Sequence, residues 1–309
     1  MQLVTVVVIT YNSAKYVIET LESIKNQCYP LIELIISDDF SSDETIQICR
    51  DWLLTNKEYF TNTKLVETPE NTGIPANANR GVLNSSGTWF KLIAGDDVLV
   101  DNAISNLIDI VEENKQIEVL LTQVEIFRNT FDENNSIGYA LQDWQIKNIL
   151  ADEKTSQEQL EYLLKGFPFP GPGFFINKSF FDNLGGYNED YPYVEDMPFC
   201  LKVLQSNKKI YFRKVITVRY RKHSVNSTSL DGKVLPRYYV QYFKALLEAS
   251  KMFPKRRYIY MNYWDLQIGK LIIKLGNSGQ FAKALNFVRI FFHPKRTIKI
   301  LTGIKILNK

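Results

Sequence analysis

The first part of this 309-residue chain alternates between short apolar runs rich in β-branched residues and segments whose apolar residues recur with helical spacing. This alternation predicts an α/β fold with a mostly parallel sheet covered by helices on both faces. Strands are predicted at residues 4–9, 33–37, 64–68, 89–93 and 119–127. Helices are predicted at residues 43–54 and 74–83. Another helix is predicted where Val17, Leu21, Ile24 and Cys28 fall on one face. Ligands of such sheets bind beyond the carboxyl ends of the strands, so the functional residues are expected there.

Beyond residue 127 the pattern changes twice before the chain ends. A polar stretch extends to about residue 159, and alternating Pro and Gly between Pro168 and Gly173 then predict a rigid turn that excludes helix. From about residue 226 the apolar spacing is helical, most clearly at residues 238–249 and 263–275. The sequence therefore predicts a helical extension after the α/β part.

The charge of the chain is divided unevenly. The formal net charge is only +3, but residues 251–309 contain 13 Lys and Arg against one acid, Asp265, whereas residues 1–250 carry a net charge of −9. Aromatic residues interleave with the basic ones, a pattern that suits a helix lying on an anionic membrane surface. A solvated helical face is the plain alternative. Nucleic-acid binding is disfavoured because no reading element or stacking platform is evident.

Cysteine content and the N-terminal segment indicate a cytoplasmic protein. Cys28, Cys49 and Cys200 cannot all pair and have no C-x-x-C spacing, so neither a disulfide framework nor a zinc site is predicted. The first apolar run is six residues long and has no basic leader, unlike a signal peptide. Because no run of about 18 apolar residues occurs, a spanning helix is not predicted either.

Short polar and acidic residues follow each of the first four predicted strands. They are residues 10–13, 38–43 and 71–73, and finally Asp96 and Asp97. Helix caps and turns use the same residue types, but capping does not require two pairs of adjacent Asp residues. Such an acidic rim suits Mg²⁺ or Mn²⁺ carrying phosphates. The sequence has neither a G-x-x-x-x-G-K-[ST] loop nor a G-x-G-x-x-G after a strand, which disfavours P-loop hydrolysis and dinucleotide redox chemistry.

As an ordered set these motifs resemble the inverting glycosyltransferases of family 2, which have the GT-A fold. The resemblance is carried by residues 6–12, 37–43, 71–73 and 95–97, continues at 185–187 and 195–199, and is looser at 220–223. It implies a GT-A catalytic domain at 1–225, with a nucleotide-sugar half of about 1–100 and an acceptor half of about 101–225. A basic helical region at 226–309 would follow.

The resemblance also implies roles for the matching residues on the donor side. Asp39 would accept a hydrogen bond from the nucleotide base, and Asp96 would face the ribose. Asp97 would hold Mn²⁺ or Mg²⁺ at the diphosphate. The other residues expected to bind the donor are Thr10, Tyr11, Asn12, Asn71 and Gly73.

On the acceptor side, the resemblance makes Asp196 the general base, with Glu195 beside it as a substrate-binding residue. Arg221 and His223 are expected to donate to the leaving diphosphate. A structural interpretation of Glu195 and Asp196 is an acidic pair that complements the dipole at the start of a helix. The structural and the catalytic interpretation are compatible.

Two positions depart from the family pattern. Ala94 stands where the family often has the first Asp of Asp-x-Asp-Asp, so one expected carboxylate of the metal motif is missing. Ala78 stands where the family has the Arg of Ala-Arg-Asn-x-Gly, and the nearby Arg80 is a candidate replacement. The metal shell and the donor pocket are therefore the parts in which this chain departs from its relatives.

The predicted reaction is a displacement at the anomeric carbon of a nucleotide-diphospho-sugar, UDP-sugar favoured, by an acceptor hydroxyl on a glycan or a lipid-linked glycan. A single in-line step inverts the anomeric centre, and surface polysaccharide, lipopolysaccharide or capsule synthesis is the expected setting. Two alternatives stay open. One is a nucleotidyltransferase, although residues 10–13 lack its basic, glycine-containing loop, and the other is a non-catalytic sugar-nucleotide-binding subunit of a glycan synthase.

Overall fold

The computed structural model describes residues 1–223, 230, 232–252 and 256–291. Contacts between residues divide the chain into two compact units. The first consists of residues 1–162 and 168–222, all of them described, and the second of residues 163–167 and those from His223 onward. The first unit contains the motifs of the acidic rim, and the second contains the C-terminal helices.

The first unit is built on one mixed sheet, all of whose strands lie in described residues. In chain order the strands are β1 Val4–Thr10, β2 Ile32–Asp38, β3 Asn62–Val66, β4 Trp89–Ala94, β5 Val98–Leu99, β6 Val119–Arg128, β7 Ser136–Tyr139, β8 Phe174–Asn177 and β9 Tyr211–Lys222. Their spatial order is β3-β2-β1-β4-β8-β6-β9-β5, with β7 paired to β6. Strands β1 to β4 run parallel, whereas β8 runs antiparallel to both β4 and β6. The parallel half brings the carboxyl ends of β1, β2 and β4 to one edge.

Helices connect and follow these strands. In chain order they are α1 Val17–Lys25, α2 Thr45–Asn56, α3 Ile74–Leu83, α4 Ala103–Glu113, α5 Asp143–Gln145, α6 Ser156–Leu164, α7 Lys178–Asn183, α8 Asp196–Gln205, α9 Tyr239–Lys251, α10 Arg256–Lys274 and α11 Gly279–Phe291. Single turns of 3-10 helix lie at Lys57–Tyr59, Glu133–Asn135 and Gly171–Gly173, and a π turn lies at Ile146–Leu150. The strand and helix order confirms the predicted α/β class with its C-terminal helices.

The core of the first unit follows from the alternation of side chains along the strands. In β1, Val4, Val6 and Val8 lie in the buried cluster that also contains the apolar face of α1. Val7 points the other way, toward α3, where a Cβ added to Gly81 would lie 2.3 Å from Val7 Cγ1. Only glycine at position 81 therefore lets α3 pack so close to β1.

Polar contacts tie the helices of the second unit together. Tyr239 Oη on α9 donates to Asp265 Oδ1 on α10 at 2.9 Å, and Arg289 Nη1 on α11 donates to the same oxygen at 2.8 Å. Gly269 of α10 lies so close to α9 that an added Cβ would be 2.5 Å from Tyr239 Cε1. The buried carboxylate of Asp265 is thus paired with Arg289 and joins three helices.

The structure corrects several details of the predicted elements. Cys28 is wrong as a member of the α1 face, because α1 ends at Lys25 and Cys28 is exposed. The helix predicted at 263–275 begins seven residues earlier, at Arg256. Within the Pro168–Gly173 segment, residues 171–173 form one turn of 3-10 helix, so the expectation that helix is excluded holds for α-helix only.

Candidate active site at the strand ends

The loops that follow β1 and β2 brace each other at the acidic rim. Thr10 ends β1, and its hydroxyl donates to Asp38 Oδ2 at 2.7 Å. The same carboxylate accepts from the backbone nitrogen and hydroxyl of Ser41, at 2.8 and 2.6 Å. Asn12, with a positive φ of 51°, donates its backbone N–H to Ser41 Oγ, and its Oδ1 accepts from the Ser42 nitrogen, both at 2.8 Å. Buried Asp38 therefore holds the two loops in one arrangement.

Two aromatic side chains of these loops are exposed. Tyr11 is 53% exposed and Phe40 is 52% exposed, and Phe40 has a positive φ of 68°. A large apolar ring held at the surface in a strained backbone conformation is unusual for a residue with no ligand. Tyr11 is among the predicted site residues and Phe40 is not, although the sequence places this aromatic residue between Asp39 and Ser41 in a polar loop.

Asp39 is buried at the end of β2 and is surrounded by donors. Its Oδ1 accepts from Thr72 Oγ1 at 2.6 Å and from Arg80 Nη2 at 3.1 Å, while its Oδ2 accepts from the Gly73 nitrogen at 2.8 Å. Arg80 Nη2 also donates to Thr72 Oγ1 at 2.7 Å. Ala78 is buried and contributes no charge, so the guanidinium in this network comes from Arg80. Asn71 precedes Thr72 and is exposed.

The N-terminal end of α3 is joined to the segment that leads into α8. Gly73 has a φ of +90°, and an added Cβ would lie 2.7 Å from both Pro192 Cβ and its carbonyl oxygen. That carbonyl accepts from the Ile74 nitrogen at 2.9 Å. Farther along α3, Asn79 exchanges two hydrogen bonds with the backbone of Tyr187, at 3.0 and 2.9 Å. The loop that binds Asp39 is thereby tied to the chain just before Glu195.

Asp97 is fully buried after β4 and has a carboxylate oxygen without a hydrogen bond. Its Oδ1 accepts from the Arg221 nitrogen at 2.8 Å, whereas its Oδ2 has no partner. Burial, together with the charge of half-buried Asp96, raises the pKa of Asp97 well above its usual range. An orphaned buried carboxylate oxygen is a site that a cation would satisfy.

The protein itself offers few further ligands at this point. Ala94 has no carboxylate, and within the described ranges no group of three or more His, Cys, Asp or Glu side chains could hold a metal. Mg²⁺ and similar ions are often held by one or two carboxylates, with substrate phosphates and water completing the shell. Asp97, with Asp96 beside it, fits a metal held in that way.

Arg221 of β9 is buried and its guanidinium binds protein groups. Its donor atoms contact the carbonyl of Asp96 at 2.8 Å, the carbonyl of Asn129 at 2.6 Å, and the carboxylate of Glu19. Its guanidinium also lies over the rings of Tyr16 and Phe131, at 4.6 and 4.0 Å. These contacts fasten β9 to the Asp96–Asp97 turn. His223 is half-buried and begins the second unit.

Glu195 and Asp196 form a coupled acidic pair at the start of α8. Asp196 Oδ1 accepts from the Met197 nitrogen at 2.6 Å, and the Gly171 N–H also bonds to this carboxylate. Burial raises the pKa of Asp196 to about 6, and burial together with the charge of Asp196 raises the pKa of Glu195 to about 8. At neutral pH the pair therefore shares one proton, and one of the two groups is a carboxylate.

Comparison with known proteins shows the family of the chain. The family described as Glycosyl transferase family 2 matches residues 5–185. The chain belongs to glycosyl transferase family 2. This family 2 glycosyltransferase is 28% identical to the glycosyltransferase GlyG of Streptococcus pneumoniae over 240 residues, which cover 74% of this chain and 75% of GlyG.

Solved structures show the same fold. S. aureus TarS 1–349 in complex with UDP-GlcNAc has a TM-score of 0.64 and 16% identity, covering 96% of this chain and 87% of that one. The mannosyltransferase PcManGT of Pyrobaculum calidifontis, in complex with GDP-Man and Mn²⁺, has a TM-score of 0.61 and 17% identity, covering 98% and 84%. The GT-A fold expected from the sequence is confirmed. Of the helices that the structure describes in this glycosyltransferase, none has the length and apolarity needed to cross a membrane.

Proposed function

We propose that this family 2 glycosyltransferase moves a sugar from a nucleotide-diphospho-sugar to an acceptor hydroxyl with inversion, in the synthesis of a cell-surface polysaccharide, lipopolysaccharide or capsule. The observation that carries the proposal is Asp196, a carboxylate at a helix start that is held by backbone N–H groups and has a pKa raised toward neutrality. A general base is most effective when its pKa is close to the working pH.

In the proposed step the acceptor oxygen forms a bond to the anomeric carbon while the bond from that carbon to the diphosphate oxygen breaks. The acceptor proton passes to Asp196, and the electron pair of the broken bond leaves on the nucleoside diphosphate. We assign the shared proton of the pair to Glu195, which leaves Asp196 free to take the acceptor proton, and we assign Glu195 a substrate-binding role.

The donor is proposed to bind at the rim formed by β1, β2 and α3. Tyr11 and Phe40 offer exposed rings on which a base can stack. We assign Asp39 to bind the nucleotide base, because Thr72, Gly73 and Arg80 orient its two carboxylate oxygens. Asn71 is exposed nearby in the chain. Thr10 and Asn12 position the loops around that pocket. A UDP-sugar is favoured, in line with the UDP-GlcNAc complex of the TarS neighbour.

Asp97 is proposed to hold Mn²⁺ or Mg²⁺, and Asp96 to face the ribose side. The metal, when bound, stabilises negative charge on the departing diphosphate oxygens. The support is the unpartnered Oδ2 of Asp97, together with the Mn²⁺ complex of the PcManGT neighbour. For Arg221 the contacts favour a positioning role, because it fastens the Asp96–Asp97 turn to β9. His223 stays a candidate donor to the diphosphate.

The experiment is a thermal-shift screen of nucleotide sugars with Mn²⁺, followed by donor turnover with glycan acceptors. A donor that binds the native state raises its unfolding temperature according to its affinity. Asp196→Asn is expected to keep that shift and to lose at least about 10²-fold in turnover, the lower end of general-base contributions. Asp97→Asn is expected to lose the Mn²⁺-dependent part of the shift.

Three outcomes would contradict parts of this proposal. A wild-type protein that binds nucleotide sugars but turns none over with any acceptor would be a binding subunit. Full donor turnover by Asp196→Asn would show that another group takes the proton. Transfer of a nucleotidyl group from a nucleoside triphosphate to a sugar phosphate would identify a nucleotidyltransferase.

We also propose that the second unit brings this enzyme to an anionic membrane that carries a lipid-linked acceptor, so that it acts on the cytoplasmic face. The support is the excess of basic residues in 251–309 and a set of exposed rings on α10 and α11. The exposed aromatic residues of these helices are Tyr260, Tyr263, Phe281, Phe287 and Phe291. Residues 253–255 and 292–309, with His293 among them, lie outside the described residues.

A further inference from the structure

A lysine lies buried in the middle of the sheet, and none of the roles above uses it. Lys91 is the third residue of β4, its side chain is fully buried, and it is paired with Val6 of β1 and with Phe175 of β8. Removing an ammonium group from water costs several kcal/mol unless hydrogen bonds and opposite charge compensate. Its contacts therefore identify what this lysine stabilises.

The Lys91 ammonium binds the backbone of the turn that precedes β8. Nζ donates to the Pro172 carbonyl at 2.5 Å and to the Phe174 carbonyl at 3.1 Å. The carbonyl between them, that of Gly173, accepts from Thr122 Oγ1 of β6 at 3.0 Å. Three successive carbonyls are thus each held by a side chain from a neighbouring strand, which fixes the 171–174 backbone.

The other side of this turn faces the acidic pair of α8. The Gly171 N–H bonds to the Asp196 carboxylate. A Cβ added to Gly171 would lie 3.0 Å from Glu195 Oε1 and 3.5 Å from Asp196 Oδ2. The path from Lys91 to Asp196 is therefore short: the ammonium, the Pro172 carbonyl, the Gly171 backbone and the carboxylate.

We infer that Lys91 is a positioning residue for Asp196, because its ammonium fixes the turn whose Gly171 N–H orients that carboxylate toward the acceptor. The inference rests on the proposed function only where it names Asp196 as the base. Lys91 also lies close enough to Asp97 for each charge to favour the other. Burial nonetheless lowers the pKa of Lys91 to about 7, so the two carbonyls bind an ammonium that gives up its proton readily.

The test replaces Lys91 with an apolar residue of similar length and measures the kinetics. We expect Lys91→Met to lower kcat at least tenfold at saturating donor and Mn²⁺, because the base is displaced. Lys91→Met leaves the Pro172 and Phe174 carbonyls without this donor, so a lower unfolding temperature is expected as well, and kcat is measured well below it. A kcat equal to that of the wild type would overturn the inference.

The pH dependence of kcat distinguishes a positioning role of Lys91 from a purely structural one. A weaker hydrogen bond from the Gly171 N–H disfavours the charged form of Asp196 and so raises its pKa. The acid limb of the profile, which is the fall in kcat at low pH, should therefore move to higher pH by about half a unit in Lys91→Met. The other titratable groups around Asp196 are Glu195 on its own helix turn, Cys200 farther along α8, and Tyr187 in the preceding loop. An acid limb that stays in place would contradict the positioning role.

A matched control is available on α8. Lys202 also uses its ammonium to bind a glycine turn, donating to the Gly186 carbonyl at 2.7 Å. Lys202→Met is expected to leave the acid limb unmoved. If Lys91→Met does not fold, Lys91→Gln decides: its amide is uncharged and one bond shorter than lysine, so it holds the two carbonyls less firmly and should still shift the limb upward.

Amide exchange separates this inference from the proposed function. In the free enzyme, Gly171 and Gly173 are expected to exchange faster in Lys91→Met than in the wild type, whatever the substrate is. If the wild type turns over no donor, the proposed function fails, and the exchange result alone decides whether Lys91 holds the turn. Unchanged exchange at both glycines would show that it does not.

Discussion

At the residue scale, the structure separates the acidic side chains that brace loops from those available for chemistry. The Asp38 carboxylate accepts from Thr10 and Ser41, and Asp43 bonds to the Thr45 hydroxyl and nitrogen at the start of α2. Caps and turns explain both of these residues. They do not explain Asp97, whose buried Oδ2 has no partner, or Asp196, whose pKa is raised toward neutrality.

The pH dependence of the reaction tests the state of Asp196. Burial raises the pKa of this carboxyl to about 6, and a base must be deprotonated to accept the acceptor proton. We therefore expect kcat to be flat near neutral pH and to fall about tenfold per unit as the pH drops below about 6. Steady-state rates from pH 4 to 8 check this.

Glu195→Gln serves as the control for that profile. Because the proposal places the shared proton of the pair on Glu195, the neutral amide imitates that state and the acid limb should keep its position. An acid limb near pH 4 in the wild type, the ordinary range for an exposed Asp, would show that the reaction uses a base in a different environment.

At the element scale, short-range sequence patterns predicted the helices and strands that short-range interactions determine. The helix predicted at 74–83 has the observed bounds Ile74–Leu83, since Gly73 precedes it, Pro75 lies in its first turn, and its apolar residues keep helical spacing. Strands β8 and β9 were not predicted. They pair with β4 and β6, which are far away in the sequence, so no short-range pattern marks them.

The same limit applies to the candidate site. The acidic rim could be predicted because parallel strands bring their carboxyl ends to one edge of a sheet. The partners of those residues could not, because they depend on how far side chains reach across loops. Arg80 reaching Asp39, Asn79 bonding to Tyr187, and Lys91 binding the turn before β8 are all contacts of that kind.

A buried glutamate joins the elements of the parallel half and gives a prediction for stability. Glu33 of β2 accepts from Thr5 Oγ1 on β1 at 2.6 Å, from Asn62 Nδ2 on β3 at 3.1 Å, and from the nitrogen and hydroxyl of Ser86 at 2.7 Å. Burial opposes its charge, but these hydrogen bonds outweigh burial and lower the pKa of Glu33 below its ordinary value of 4.5. Glu33→Gln should lower the free energy of unfolding by about 1–3 kcal/mol at neutral pH.

The sign of the pH effect follows from the lowered pKa. The contribution of Glu33 is complete above about pH 4.5 and is lost as the pH falls through its lower folded-state pKa. Urea unfolding at pH 7 and pH 3 should therefore show a difference in the free energy of unfolding between wild type and Glu33→Gln, and this difference should be smaller at pH 3. A gap of equal size at both values would show that the carboxylate charge has no part in it.

At the scale of the whole molecule, residues 1–250 carry a net charge of −9, whereas residues 251–309 carry a net charge of +12. Asp265 is the only acid of residues 251–309, and it is buried against Arg289 rather than exposed. The basic excess is therefore not offset by any exposed carboxylate of that segment. On α11 the rings of Phe287 and Phe291 are both more than half exposed and stack 5.4 Å apart. Basic residues and exposed rings on one helical unit are what adsorption to anionic lipid requires.

Sedimentation with lipid vesicles tests this arrangement. We expect wild-type protein to bind vesicles containing anionic lipid, and binding to weaken as salt is raised, because each Lys or Arg near the surface contributes about 1 kcal/mol by a screened attraction. Phe287→Ser combined with Phe291→Ser should weaken binding at least tenfold, since two large apolar side chains no longer enter the lipid interface. Leu54→Ser with Leu83→Ser is the matched control, because those leucines are at least as exposed as the two phenylalanines but lie on the first unit. Equal sedimentation of the phenylalanine variant and the wild type would remove α11 from the membrane contact.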